Sequence, residues 1–216
     1  MKGNRNFDLD LAYEAVLKSS NYDTTGIKDT PLYINALQPV SKKYKNETGY
    51  IPFDKEIESV AKGLEYAYDD WCVLQMAKDR KDTANISKYE KLATNYKNYF
   101  DAGTGFMRGK DSNGNWRTPF NPRSSVHRDD DYCEGTAWQW LWFVPHQVDS
   151  LVQLLGGKEK FVEKLDGLFA ADSKIEGEQT SVDISGLIGQ YAHGNEPSHH
   201  IIHLYNYLEQ PHKTQA

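Results

Sequence analysis

Apolar residues recur at helical spacing through most of the chain, and the longest such run lies between residues 55 and 78. Its apolar positions are Ile57, Val60, Ala61, Leu64, Ala67, Tyr68, Trp71, Leu74 and Ala77. Spacings of three and four residues place these side chains on one broad face of a helix. The pattern predicts a long, mostly buried helix, and a second helix beginning at Asp82 is predicted to form an antiparallel hairpin with it.

Shorter runs with the same spacing predict the remaining helices. These runs cover residues 8–20, 135–144, 146–155, 158–169 and 198–208. Asp8 is placed to cap the first of them, and Pro197 suits the first turn of the last. Residues 22–52 contain several glycines and prolines, which predict a loop with one or two helical turns.

Few segments show the alternation that is typical of a strand. A turn signal at residues 111–115, Asp-Ser-Asn-Gly-Asn, separates two short extended pieces within residues 103–122 and predicts a β-hairpin. The sequence shows no alternating apolar and polar run of sheet length and no internal repeat at a fixed period. It therefore predicts an all-α fold of helical hairpins with a small β-hairpin insertion.

Composition narrows the class of protein. The chain has 216 residues, 38% of them hydrophobic, and a formal net charge of -6. The length and the hydrophobic fraction are sufficient for a hydrophobic core. The negative net charge and the interspersed charges of both signs argue against nucleic acid as a main partner. No apolar stretch is long enough to span a membrane, and the first residues do not resemble a signal peptide. Two cysteines make neither a disulfide framework nor a zinc motif.

The first candidate for chemistry is Glu134. It follows three consecutive aspartates, residues 129–131, and precedes an aromatic segment that contains Trp138, Trp140 and Trp142. A carboxyl group desolvated against such an apolar surface can stay protonated near neutral pH and act as a general acid. The sequence therefore predicts a carbohydrate site with Glu134 as its proton donor.

A second candidate cluster lies within residues 189–203 and contains four histidines. His199 and His203 stand four residues apart, a spacing that can hold a transition metal, although the pattern is not His-Glu-x-x-His. Asn195 and Glu196, at a helix start, suit a hard cation such as Ca²⁺ or the hydroxyl groups of a sugar. Alternatively, these two residues only cap the helix and the histidines only make core hydrogen bonds.

Asp70 is a third candidate, because it lies with Asp69 inside the predicted long helix, where an unpaired carboxylate is costly. Either these aspartates face solvent or cap a neighbouring element, or they bind substrate.

Glu134 and Glu196 offer a pair of carboxylates to one pocket, as glycoside hydrolysis requires. A separation of roughly 6.5–9.5 Å between such carboxylates leads to inversion. The sequence contains no motif of a serine hydrolase or a nucleotide-binding protein.

Several motifs in the same order resemble those of the calcium-dependent exo-α-mannosidases of glycoside hydrolase family 92. They are Gly49-Tyr50-Ile51-Pro52, Leu64-Glu65-Tyr66-Ala67-Tyr68-Asp69-Asp70-Trp71, Gly105-Phe106-Met107-Arg108, Glu134-Gly135-Thr136-Ala137-Trp138-Gln139, Val144-Pro145-His146 and His193-Gly194-Asn195-Glu196-Pro197-Ser198-His199-His200. The resemblance implies part of an (α/α)6 toroid and an inverting hydrolysis of terminal α-mannosides of glycans, with α-1,2 linkages favoured. It also implies a periplasmic or extracellular location.

The same resemblance implies roles for individual residues. Glu134 occupies the position of the general acid, and Asn195 and Glu196 occupy positions that meet the Ca²⁺ ion. His193, Glu196 and Asp70 are implied as substrate contacts. The metal ion itself would contact mannose hydroxyls and help to distort the sugar ring.

One family motif does not occur, the acidic segment with Ser-Ala-Trp-Tyr that carries the catalytic base. We therefore expect residues 1–216 to be a partial toroid, without the family's N-terminal β-sandwich and without the base. Such a piece is expected to be nearly inactive alone and to self-associate through uncovered helix faces. The alternatives are a non-catalytic carbohydrate-binding or scaffold module of the same fold, and a hydrolase acting on other sugars.

Overall fold

The computed structural model describes residues 3–215, which form two compact units. The first unit draws its described residues from Met1–Ile51 and Lys62–Asn98, and the second from Pro52–Ala61 and Tyr99–Ala216. The sequence pattern did not predict this division, because the boundary at residues 61–62 falls inside the long apolar stripe.

Within residues 3–215 the secondary structure is mainly helical. The α-helices are α1 (Leu9–Ser20), α2 (Pro31–Leu37), α3 (Ser41–Thr48), α4 (Ser59–Arg80), α5 (Thr83–Leu92), α6 (Ala137–Trp140), α7 (Val148–Leu154), α8 (Lys158–Ala170) and α9 (Pro211–Gln215). Helices of the 3-10 type cover Asn95–Tyr99, Glu196–Ser198 and Ile201–Leu208. Strands β1 (Phe100–Asp101) and β2 (Phe106–Met107) form one antiparallel hairpin, and β3 (Leu187–Ile188) and β4 (Tyr191–Ala192) form another. The predicted all-α class is confirmed.

The first unit is built on the predicted helices. Asp8 caps α1 by accepting bonds from two backbone amides, and Asp82 caps α5 through the amide of Asn85 at 3.1 Å. Buried residues of α4 and α5 form one cluster, to which α1 contributes two partly buried side chains. This cluster contains Val73, Leu74, Tyr89 and Leu92, with Val16 and Leu17 packed against it. The predicted packing of α5 on α4 is confirmed. Helices α2 and α3 lie where a loop with one or two helical turns was predicted, so this segment is more helical than expected.

The second unit departs from the prediction at the β-hairpin. Asp111 accepts hydrogen bonds from the backbone amides of Asn113 and Asn115, at 2.9 and 2.8 Å. The predicted turn is therefore present, but a single bridge between Lys110 and Trp116 flanks it instead of two strands. The side chain of Asp111 satisfies amides that a longer ladder would otherwise pair.

The core of the second unit lies around α7 and α8, both of which were predicted. The ring of Trp142 meets that of Phe161 edge to face, with centroids 5.2 Å apart. Further fully buried side chains are those of Leu141, Leu151, Leu165 and Leu168. The segment 201–208 buries one face as predicted, although its geometry is 3-10. The structure shows no helix among residues 3–215 that is long and apolar enough to cross a bilayer.

Candidate active site

Glu134 lies in the loop that leads into α6, in the second unit, and its side chain is half-buried. Its backbone has a φ of 48°, which is the left-handed region that residues with a Cβ atom rarely adopt. This conformation costs about 1 kcal/mol or more for a residue other than glycine. The predicted helix over 135–144 is wrong in length, because only Ala137–Trp140 is α-helical and the acidic residue stands before it.

Hydrogen bonds hold the peptide groups on both sides of Glu134. The indole Nε1 of Trp140 donates to the carbonyl oxygen of Cys133 at 2.8 Å. The side-chain Nδ2 of Asn195 donates to the carbonyl oxygen of Glu134 at 2.9 Å. Gly135 is also required here, since a Cβ atom at that position would stand 2.7 Å from Nε1 of Trp140. The loop is therefore restrained by contacts to its backbone.

A capping box continues this restraint into α6. The backbone amide of Thr136 donates to Oε1 of Gln139 at 2.5 Å, and the Thr136 hydroxyl accepts from the amide of Trp138 at 3.2 Å. The side-chain Nε2 atom of Gln139 donates to the carbonyl oxygen of Gln190 at 2.5 Å. Gln139 thus ties the Glu134 loop to the segment that carries the histidine-rich motif.

Glu134 and Asn195 line one small pocket in the second unit. Its other lining residues are Gln139, Trp140, Phe143, Pro197 and Ser198. The cavity volume is about 10 Å³, which is roughly the space of one water molecule. The Glu134 loop and the histidine-rich motif therefore meet, but Glu196, the carboxylate expected to share a pocket with Glu134, is not among the lining residues. The pocket is too small to enclose a sugar.

The remaining residues of the histidine-rich motif differ in their exposure and in their hydrogen-bond partners. His193 and Glu196 are exposed, as a contact with substrate or metal requires, and Nδ1 of His193 lies 2.9 Å from the hydroxyl oxygen of Tyr191. Nε2 of His199 and Nε2 of His200 lie 2.9 and 2.8 Å from backbone carbonyl oxygens. Burial lowers the pKa of His200. These two imidazoles therefore serve the local structure.

The donor chemistry fits a hard cation better than a transition metal. Among residues 3–215 no group of three or more His, Cys, Asp or Glu side chains is placed to hold a metal ion. Asn195 offers its Oδ1 atom, because its Nδ2 atom is bonded to Glu134, and Glu196 offers an exposed carboxylate. Ca²⁺ takes six to eight oxygen ligands. These residues suit calcium in kind and would supply part of its shell.

Asp70 lies in the first unit, where its side chain is only 1% exposed. Both carboxylate oxygens are 2.6 Å from Nζ of Lys45, whose side chain is 5% exposed. Burial raises the pKa of Asp70 to about 6 in spite of the attraction of Lys45. The ion pair gives Asp70 a structural role, and a sugar contact for it stays a prediction that this geometry does not favour. Sequence reasoning missed Lys45, since it lies in a stretch that was read as a loop.

Two of the three aspartates before Glu134 build the loop. Asp131 accepts the hydroxyl of Ser59 at 2.9 Å and two bonds from the guanidinium of Arg117, at 2.9 and 3.1 Å. Asp130 accepts the backbone amides of Val126 and Tyr132, at 2.6 and 2.9 Å, and burial raises its pKa to about 6. These bonds give Asp130 and Asp131 a structural role in the loop that precedes Glu134.

Comparisons with known proteins agree on one family. The family model described as "Glycosyl hydrolase family 92 catalytic domain" matches residues 1–216. A protein of Arthroderma benhamiae described as "Uncharacterized secreted glycosidase" is 30% identical over 95% of this chain, which spans 27% of that protein.

Solved structures give the same result. The family GH92 α-mannosidase BT3965 of Bacteroides thetaiotaomicron is 39% identical, with a TM-score of 0.80 over 98% of this chain and 26% of its own. The family GH92 inverting mannosidase BT2199 of the same organism is 32% identical, with a TM-score of 0.80 over 100% of this chain and 29% of its own. This chain therefore spans about a quarter of the length of these relatives.

Proposed function

The chain belongs to glycosyl hydrolase family 92, and on that premise we propose that it carries the general acid, Glu134, of an inverting, calcium-dependent exo-α-mannosidase. The observation that carries the proposal is the bond from Asn195 to the carbonyl oxygen of Glu134, which joins two motifs 61 residues apart in one pocket. Similar proteins support the activity, since BT2199 is described as an inverting mannosidase and BT3965 was solved in complex with mannoimidazole.

In the proposed reaction the carboxyl group of Glu134 donates its proton to the glycosidic oxygen as the bond to the leaving group breaks. Water attacks the anomeric carbon from the opposite face and is activated by a second carboxylate, roughly 6.5–9.5 Å from the acid. We assign that base to polypeptide outside residues 1–216, because the family's base motif does not occur in this sequence. The 216 residues alone are then expected to be nearly inactive.

Substrate and metal contacts complete the proposal. Asn195 and Glu196 would each offer an oxygen ligand to Ca²⁺, which when bound supplies contacts to mannose hydroxyls. His193 and Glu196 have exposed side chains and would bind the sugar, and Asp70 is kept as a weaker substrate contact. An α-1,2 preference and an extracellular or periplasmic location remain part of the proposal, and the secreted relative supports an extracellular location.

The apolar surface of α2 supports the expected self-association. Its exposed side chains are Leu32, Tyr33 and Leu37.

A non-catalytic carbohydrate-binding or scaffold module of the same fold is the second candidate function. The small volume of the Glu134 pocket is the observation that favours it. The two candidates differ in whether the complete protein turns over a mannoside.

The test is Glu134→Gln in the complete protein, assayed on two α-mannosides. One has an alkyl leaving group, which needs a proton, and the other a dinitrophenyl leaving group, which does not. We expect turnover of the alkyl mannoside to fall about 10²- to 10⁴-fold, and that of the activated substrate to change far less. Glu159→Gln, at an exposed glutamate of α8, is the matched control and should change neither. Equal losses on both substrates would remove Glu134 from the role, and an unmodified protein inactive on every mannoside would favour the binding module.

A further inference from the structure

We infer that Asn195 is a positioning residue for the general acid, because its side-chain amide holds Glu134 in the left-handed backbone conformation from which the acid lines the pocket. The inference rests on the proposed function of Glu134. It adds a role that differs from metal contact, since the atom involved is Nδ2, a donor that cannot bind a cation.

The backbone at Glu134 is held in a conformation that a glutamate rarely adopts. A φ of 48° at a residue with a Cβ atom persists only where the surrounding structure holds it, and such residues cluster at functional sites. A relaxed backbone at this position would turn the side chain in another direction. The orientation of the carboxyl group therefore depends on the contacts that restrain the peptide groups around it.

The contacts that restrain these peptide groups come from different distances along the sequence. Trp140 bonds the carbonyl oxygen of Cys133 from seven residues away, and Gln139 bonds the amide of Thr136 from three residues away, so both restraints are local. The bond from Asn195 comes from 61 residues away and reaches the carbonyl oxygen of Glu134 itself. It is the contact from the histidine-rich motif to the backbone of Glu134 itself, whereas Gln139, whose Nε2 atom bonds the carbonyl oxygen of Gln190, links the loop to that segment from five residues further along.

Asn195 is itself buried and held by backbone hydrogen bonds. Asn195 is 5% exposed, so water competes little for its side-chain amide. Its backbone amide donates to the carbonyl oxygen of Ala192 at 3.3 Å, and its own carbonyl oxygen accepts from the amide of Ser198 at 3.1 Å. A donor held in this way pre-organises its acceptor, and a shift of about 1 Å in a catalytic group can lower a rate on the order of 10²-fold.

The experiment compares Asn195→Asp and Asn195→Ala in the complete protein. Asn195→Asp keeps the shape and the oxygen that a cation would use, and it removes the donor. We expect kcat on the alkyl mannoside to fall about 10- to 100-fold with KM little changed, and activity on the dinitrophenyl mannoside to fall less than about 3-fold. Calorimetry should show that Asn195→Asp binds Ca²⁺ no more weakly than the unmodified protein.

Gln190→Ala is the matched control for lost stability. Gln190 is a fully buried amide of the same unit, and its Nε2 atom donates to the carbonyl oxygens of Asp172 and Lys174, at 2.6 and 3.1 Å. We expect its thermal midpoint to fall about as far as that of Asn195→Ala, with the ratio of activities on the two mannosides unchanged. If the ratio of activities on the two mannosides changes in both Asn195→Ala and Gln190→Ala, general loosening of the unit causes the change, and the inference is overturned.

Two further outcomes would also overturn it. Equal losses on both mannosides in Asn195→Asp, together with weaker binding of Ca²⁺, would make Asn195 a metal ligand only. Unchanged activity in both Asn195 variants would make the bond irrelevant to the acid. The proposed function fails separately, since it depends on the response of Glu134→Gln, and a leaving-group effect in that variant without one in Asn195→Asp would reject only the positioning role.

Discussion

Replacing Asp70 by Asn tests whether the buried ion pair with Lys45 is a structural feature of the first unit. The charged atoms are 2.6 Å apart and both side chains are at most 5% exposed. Their attraction is about 6 kcal/mol at an effective dielectric constant of 20. Removing each ion from water costs several kcal/mol, so the intact pair contributes little net stability, as the raised pKa of Asp70 indicates.

Breaking the pair has a different effect, because Asp70→Asn leaves the ammonium group of Lys45 buried without its counter-charge. We expect a loss of about 3–5 kcal/mol in the free energy of unfolding, measured by urea denaturation at pH 7. The double variant Lys45→Met with Asp70→Leu should recover most of this loss, because no uncompensated charge remains. A double-mutant cycle over the two positions then gives the coupling energy.

The matched control is Glu90→Gln in the same unit. Glu90 pairs with Lys78 at 3.2 Å, and about half of each side chain is exposed. Such a pair contributes about 0–1 kcal/mol, so the control should unfold almost as the unmodified protein does. If Asp70→Asn costs no more than Glu90→Gln, the buried pair does not have the energetics inferred here. A specific rise in KM for mannosides without loss of stability would instead return Asp70 to the substrate site.

Two more predictions concern the loop around Glu134. Burial raises the pKa of Asp130 from an ordinary value of about 4 to about 6. Between pH 4 and pH 6 the folded state therefore binds more protons than the unfolded state, and the free energy of unfolding should fall as pH rises through this range. Asp130→Asn should reduce this slope in urea denaturation without removing it, because the pKa of Asp70 is also raised to about 6. A slope as steep as that of the unmodified protein would contradict the assignment. Gly135→Ala places a Cβ atom 2.7 Å from Nε1 of Trp140 and should destabilise the protein by about 1–3 kcal/mol, so an unchanged melting temperature would show that the loop adapts without strain.

The helices that the sequence predicts well are those whose apolar stripe and caps agree. α1 and α4 have both a continuous stripe and a match to the structure, and Asp8 and Asp82 cap helices where they were expected to. The local signal is sufficient here because side-chain spacing alone decides which face is buried.

The segment after Glu134 shows where local signals fail. Its aromatic residues do not share one face of a helix but pack against different partners. Trp138 meets Phe106 at a ring distance of 5.0 Å, whereas Trp142 meets Phe161. Tertiary packing therefore shortens the predicted helix to α6. Lys45 was missed for a related reason, because nothing near it in sequence marks it as the partner of Asp70.

The candidate site was predictable in its residues but not in its construction. The sequence motifs single out Glu134 and Asn195, and both line one pocket. Their connection runs through a backbone carbonyl and a left-handed φ, and neither leaves a signature in residue type, since a glutamate is not expected in that conformation. Asn195 and Trp140 bond the peptide groups on either side of Glu134, the proposed general acid. Substitutions at these positions should therefore change proton transfer more than sugar binding, and a search limited to residues that contact the substrate would overlook them.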